Sequence, residues 1–389
     1  LSVRSNAEAE ASLLEAASLR LAALRFGSYR AAAGFQRGAM RIDAFIAVLM
    51  AVVFGCGFAR ADEFVIEQIF LRTTIQERPV RLEALVVKRE AATEKLPIAI
   101  ITHGKPAALG DMLDGKSTDL AGPARDLAKR GWLAVVVMRR GFGQSDGPMP
   151  APVSCASKSL IERLNADADD LQAAIEVIGK RPDADPDRVI AIGGSAGGAA
   201  VVALAARNPK NLRGVVSVSG GLRLLGCPKE NELVQAYSEF GAVSRIPNIW
   251  LYAKNDSFFG PDLVTRMQSA FLGGGGDVKL VQFEKIGEDG HGLFMVSAGR
   301  LRWLMEVDSF LRFHKLPATF RGEQVSDLMK LLKFERNQRG FLETYLAAPT
   351  YKAMAQSPEG KVWIQYGAGS SASVRKSAVD GCTARFKSG

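Results

Sequence analysis

The stretch RVIAIGGSAGGAAVVALAARNP, residues 188–209, decides how the chain is read. Its first half, Val189-Ile190-Ala191-Ile192, is a short apolar run of the kind that forms a strand buried on both faces. Its second half, from Ala196, is rich in Ala, Val and Leu, and Asn208-Pro209 stops it as a helix. Between them lie Gly193-Gly194-Ser195-Ala196-Gly197-Gly198, so a hydroxyl sits on a tight strand-to-helix turn whose neighbours lack side chains. Such a turn lifts a serine above the edge of a sheet, which makes Ser195 the candidate nucleophile.

The flanking sequence repeats this alternation. Strands are expected at 64–70, 81–87, 98–102, 132–138, 188–192, 212–219, 248–253 and 278–283, and helices at 123–130, 160–179, 196–207, 230–240, 261–272 and 298–314. Strand–helix alternation implies a mostly parallel central sheet with helices on both faces, an α/β architecture. Sites in such sheets lie at the carboxyl ends of the strands. From about residue 317 the rhythm breaks into short helices, a hairpin across 351–367 and a final helix carrying Cys382, a small α+β appendage.

A second segment, Gly143-Gln144-Ser145-Asp146-Gly147, also fits G-x-S-x-G. Pro148, Pro150 and Pro152 follow it, and no helix can start there. Ser145 is therefore set aside. A phosphate-binding loop is disfavoured as well, because no Lys-Ser or Lys-Thr pair follows the glycines.

A serine hydroxyl needs a base within hydrogen-bond reach. The chain has three histidines, His103, His291 and His314. His103 belongs to a turn that ends a strand, and His314 lies in the closing helix. His291 lies in the Gly-rich loop between the last strand and the last helix, which makes it the expected base. Asp256 follows the strand at 248–253 and stands between serine and histidine in chain order, as the carboxylate that orients the base. Asp289 is the competitor, but at two residues from His291 it is better placed to share the loop than to face the ring. The developing oxyanion needs backbone N–H donors, expected from Ala196 and from Lys105.

These motifs together resemble the α/β-hydrolase superfamily over roughly residues 65–315: His103-Gly104, Arg140-Gly141-Phe142-Gly143-Gln144-Ser145-Asp146-Gly147, the Ser195 turn, Asp256 and Asp289-Gly290-His291. The double glycines around Ser195 and the segment Asn255-Asp256-Ser257-Phe258-Phe259-Gly260-Pro261 resemble the dienelactone-hydrolase-like and prolyl-oligopeptidase-like branches. A true dienelactone hydrolase carries a cysteine nucleophile, where this chain has Ser195. The resemblance implies an α/β-hydrolase fold and hydrolysis of a small ester or lactone through an acyl-enzyme, without a cofactor. Two alternatives are a peptidase acting on short peptides and a non-catalytic binding protein of the same fold. The peptidase would need a charged anchor for a peptide terminus, for which Lys105, Arg139 and Arg223 are the candidates. Scattered histidines and the lack of close cysteine pairs give no metal site.

The net charge of +9 comes without a dense Lys/Arg run interleaved with aromatics, so no nucleic-acid partner is expected. Met40-Arg41, the apolar run 42–58 and Ala59-Arg60-Ala61 have the order of a secretory signal peptide, too short to serve as a membrane span. The expected organisation is thus an over-extended start or leader at 1–39, a signal peptide at 40–61, a catalytic domain at 62–316 and the appendage at 317–389. The tail resembles small secreted domains in which a helix cysteine pairs with a later one, which implies a truncated C-terminus. A periplasmic or secreted protein follows, with lipidation at Cys56 the lesser alternative because Phe54 fits a lipoprotein box poorly. In an oxidising compartment Cys155 and Cys227 are expected to pair, since both loops leave the sheet edge that carries Ser195, with Cys382 left over.

Overall fold

The computed structural model describes residues 64–386 apart from 91, 93, 106–112, 150–154, 156–158, 224–228, 319–324, 326–328, 331–332, 349–351, 358–360 and 367–370. The expected leader and signal peptide, Cys56 and Cys227 lie outside these residues.

Eight strands form one sheet in the order β1-β2-β4-β3-β5-β6-β7-β8. β1 (Phe64–Ile75) and β2 (Arg78–Arg89) pair antiparallel over their whole length. Both are longer than the sequence predicts. The hairpin closes on Gln76 and Glu77, each at positive φ (50° and 63°), a turn usually signalled by Asn-Gly and here built without it. β2 runs antiparallel to β4 (Leu133–Val137). From β4 onward every pairing is parallel, through β3 (Leu96–Thr102), β5 (Ala184–Gly194), β6 (Leu212–Val218), β7 (Asn248–Ala253) and β8 (Val278–Phe283).

The apolar runs are continuous because both faces of the sheet are covered. Successive strand residues point to opposite faces. Along β3, Ile98 and Ile100 enter one core and Ala99 and Ile101 the other. The first core is closed by α2 (Ser159–Ile178), α3 (Ala196–Ala205), α4 (Glu230–Val243) and α5 (Pro261–Gly273). The second is closed by α1 (Ala121–Lys129) and α6 (Ser297–Phe313). Truncating a side chain such as Ile101 to Ala is expected to cost about 2–5 kcal/mol. Every residue of α3 is buried, and its small side chains let it lie directly against β5 and β6. On the other face, buried ion pairs tie α1 to α6. Arg130, at the end of α1, holds Asp308 at 2.6 Å, and Arg300 of α6 reaches back to Asp126.

Beyond α6 come α7 (Arg339–Ala347), the antiparallel pair β9 (Lys352–Gln356) and β10 (Val362–Tyr366), and α8 (Ser371–Phe386). Val374 and Ala378 of α8 pack on Ala353 of the hairpin. Among the described residues no helix is long and apolar enough to cross a membrane.

Candidate active site

Ser195 ends β5 and precedes α3 with φ 54° and ψ −123°, a conformation few side chains adopt. Holding it there costs of order 1–3 kcal/mol, so the surroundings must enforce it. The Ser195 N–H donates to the Val218 carbonyl at 3.0 Å, and the Gly221 N–H donates to the Ser195 carbonyl at 3.0 Å. The glycines serve close approach. A Cβ on Gly193 would lie 2.2 Å from the Gly197 carbonyl oxygen, and one on Gly197 would lie 2.4 Å from that of His103.

His291 sits in a single 3-10 turn, Gly290–Phe294, between β8 and α6. Its Nε2 is 3.1 Å from Ser195 Oγ, and its Nδ1 is 3.0 and 3.2 Å from the two oxygens of Asp256. The Asp256 carboxylate accepts, so Nδ1 carries the proton and the Nε2 lone pair faces the serine hydroxyl. Asp256 Oδ1 also accepts from the N–H groups of Phe258 (2.9 Å) and Phe259 (3.0 Å), which fixes the carboxylate in the plane the ring requires. The Phe258 ring lies 4.3 Å from the imidazole.

The loops that carry Asp256 and His291 are braced to each other. Asn255 Oδ1 accepts from the Ile286 N–H at 3.0 Å, and the Gly290 N–H donates to the Asn255 carbonyl at 3.1 Å. Asp289 accepts from the Ser257 N–H (3.1 Å), the Ser257 hydroxyl (2.6 Å) and the His291 N–H (2.9 Å). Burial alone would raise its carboxyl pKa. The Ser257 and His291 hydrogen bonds outweigh that and hold it below the usual carboxylate range. Asp289 thus shares the loop rather than facing the ring.

His103 is remote from this role. Its Nε2 accepts from the Arg139 N–H at 3.1 Å, and its Nδ1–H donates to the Gly104 carbonyl at 2.7 Å. Burial, reinforced by the charge of Arg139, pushes its pKa well below the ordinary imidazole value, so the ring is neutral. Ala196 opens α3, where first-turn N–H groups have no intrahelical acceptor. Lys105 and Ser195 line the same cavity of about 330 Å³, whose apolar wall includes Leu120, Met138, Phe142 and Phe294.

The second G-x-S-x-G segment is a structural clamp. Ser145 Oγ donates to the Met138 carbonyl at 2.7 Å and accepts from the Glu83 N–H at 2.9 Å. Glu83 in turn accepts from the Ser117 N–H (2.7 Å) and the Gln144 N–H (2.8 Å), joining two loops around the cavity. Asp146 pairs with Arg81 at 2.8 Å. None of these links to β2 has a local sequence signal.

One expectation is corrected. Arg139 cannot anchor a peptide terminus, because it is fully buried and its Nη1 bonds Thr102 Oγ1 and the His103 carbonyl. Arg223 stays at the surface, donating to the Ser257 carbonyl at 3.4 Å with its guanidinium over the Phe258 ring. Cys155 is disulfide-bonded, Cys382 is free and buried, and Cys227 lies outside the described residues.

Residues 115–256 match the model of the family described as serine aminopeptidase, S33. With the sheet order and the strand–Ser195–helix turn, this fits the α/β-hydrolase fold that the motifs led one to expect. A curated protein of Nocardia uniformis subsp. tsuyamanensis, NocK, named as a candidate esterase, is 30% identical over 132 residues. The match covers 34% of this chain and 35% of that protein, so the chain aligns with about a third of that relative's length. Among solved structures, acetyl xylan esterase 1 of Thermoanaerobacterium is 19% identical with a TM-score of 0.40, covering 59% of this chain and 83% of that one. The acylaminoacyl peptidase of Pyrococcus horikoshii is 18% identical with a TM-score of 0.48, covering 67% and 44%.

Proposed function

We propose that the protein is a serine hydrolase of the esterase type, cleaving a carboxylic ester or lactone of a small molecule through an acyl-enzyme. The observation that carries this is the continuous hydrogen-bonded line Asp256–His291–Ser195, whose hydroxyl end opens on the cavity. In this reading Nε2 of His291 takes the Ser195 proton as Oγ attacks the carbonyl carbon. The N–H groups of Ala196 and Lys105 bind the oxyanion, and Asp256 stabilises the imidazolium. The ring then hands its proton to the leaving alkoxide. Water, deprotonated by the same nitrogen, releases the acid and restores Ser195. The apolar lining from Leu120, Met138, Phe142 and Phe294 suits an uncharged acyl group, which supports an ester over a charged peptide.

The description of the matched family favours a second reading, an aminopeptidase. The Asp119 carboxylate beside the cavity would then receive the substrate's ammonium group. A fluorophosphonate label followed by parallel panels of p-nitrophenyl esters and aminoacyl p-nitroanilides separates the two. Labelling lost in Ser195→Ala, with turnover of esters alone, is the expected result. Turnover of anilides alone would move the assignment to the peptidase. Export to an oxidising compartment belongs to the same proposal, supported by the order of residues 40–61 and by the disulfide at Cys155. N-terminal sequencing of the mature protein, expected to begin near Asp62, tests it.

A further inference from the structure

We infer that Arg139 is a positioning residue that aims the Lys105 N–H at the oxyanion, acting through two carbonyls of the loop after β3. The inference rests on Ser195 as nucleophile. A peptide unit is planar, so fixing a carbonyl oxygen fixes the N–H of the next residue on the opposite side of the plane. Two such planes lead from His103, the residue after β3, to Lys105. The first holds the His103 carbonyl and the Gly104 N–H, and Arg139 Nη1 grips that carbonyl at 2.8 Å. The second holds the Gly104 carbonyl and the Lys105 N–H, and His103 Nδ1–H grips that carbonyl at 2.7 Å. The imidazole that does so is itself held by the Arg139 N–H at its Nε2. Residue 139 thus governs both planes, one with its side chain and one with its backbone.

The guanidinium is oriented for this task. Its Nη1 also donates to Thr102 Oγ1 at 2.6 Å, while the Thr102 hydroxyl donates to the Val137 carbonyl at 3.2 Å, so the last residue of β3 is locked as well. Charge balance comes from Asp167, 3.2 Å from Arg139 Nε and shared with Arg163 at 2.8 Å. Asp167 faces Arg139 from the Nε side, which leaves Nη1 to the loop. On the far side, α3 closes the vice, since any Cβ on Gly197 would meet the His103 carbonyl oxygen. The Phe142 ring packs against both His103, with ring centroids 4.3 Å apart, and the Arg139 guanidinium.

The test compares the full chain with Arg139→Met, Arg139→Lys, His103→Leu and His103→Gln. The readouts are kcat and KM for p-nitrophenyl acetate and the inhibition constant of phenyl trifluoromethyl ketone, whose serine adduct carries an oxyanion. Arg139→Met should lower kcat about 10- to 100-fold with KM little changed, as expected when a contact made only in the transition state is lost. Inhibitor affinity should fall by the same factor. Arg139→Lys, which keeps one donor, and His103→Gln, which keeps a donor and an acceptor, should each exceed the corresponding apolar variant in kcat. A folded Arg139→Met with undiminished kcat, or with unchanged inhibitor affinity, overturns the inference. If Arg139→Met does not fold, the ordering within the His103 pair and the inhibitor affinity of Arg139→Lys decide in the same way. A wild-type protein that neither takes up a fluorophosphonate nor binds the ketone defeats the reading of Ser195, and this inference with it.

Discussion

Asp289 and Ser257 meet at 2.6 Å, carboxylate to hydroxyl, across the gap between the loop that carries Asp256 and the loop that carries His291. Asp256 and His291 themselves are 35 positions apart, and this lateral bond keeps the histidine loop from sliding along the sheet edge. Asp289→Ala is expected to lower kcat by about 10- to 100-fold, because small displacements of a catalytic group are costly. Ser257→Ala should cost less, since Asp289 keeps its two backbone donors. Steady-state kinetics on a p-nitrophenyl ester checks the order; equal kcat in both variants and wild type would show that the brace is idle.

The two G-x-S-x-G serines should separate cleanly. Ser195→Ala is expected to abolish fluorophosphonate labelling with the fold intact. Ser145→Ala should keep labelling and lose about 1–3 kcal/mol of stability, because the Glu83 N–H and the Met138 carbonyl lose a buried partner. Labelling gels and urea denaturation measure the pair. Loss of labelling in a folded Ser145→Ala would exchange the two roles.

His103 sets an acid limit on stability. Its pKa in the folded protein lies well below the ordinary value, so below about pH 6.5 the unfolded chain binds a proton that the folded chain refuses. The stabilisation is complete above that pH and is lost as pH falls toward the folded value. Asp170, raised to about 6 by burial that its bond to Arg140 only partly offsets, works in the opposite direction between its unfolded value and pH 6. Comparing Tm at pH 5 and pH 8 in wild type and His103→Gln isolates the histidine. The wild type should lose more on acidification, and equal losses would remove His103 as the cause.

Peptide mapping without reductant should find Cys155 linked to Cys227 and Cys382 alkylated. The closed loop is expected to contribute about 3–5 kcal/mol on the chain-entropy model. Recovery of Cys227 as a free thiol from oxidised protein would rule the pairing out.

What could be read in the sequence follows from burial. β3, β4 and the core of β5 stand out because both faces are covered and no polar residue interrupts them. β7 falls where its apolar run does, and β8, interrupted by Lys279 and Gln282, is marked by its β-branched and aromatic residues instead. That Ser195, Asp256 and His291 come together is legible because each sits in the loop after a strand whose position is clear. Strands β1 and β2 are expected at 64–70 and 81–87, but their extension to the tight turn between them is not, because Gln76-Glu77 takes a positive-φ turn that its residue types do not announce. Glu83 and Arg139 were missed as organisers because their partners are distant in the chain or are backbone atoms. Glu83 reaches Ser117 and Gln144, 34 and 61 positions away, and no local pattern encodes such a bond.

The spacing of the triad also has a consequence during synthesis. Ser195 leaves the ribosome 96 residues ahead of His291, and the turn bearing His291 is anchored through the Phe294 carbonyl to the indole N–H of Trp303 in α6. If Ser195 and His291 act as proposed, a growing chain therefore displays its nucleophile long before it possesses a base. On the proposed reading, the Ser195 hydroxyl lacks its base until α6 has emerged and docked, so the nascent polypeptide would not yet act on the esters of the cell that is making it.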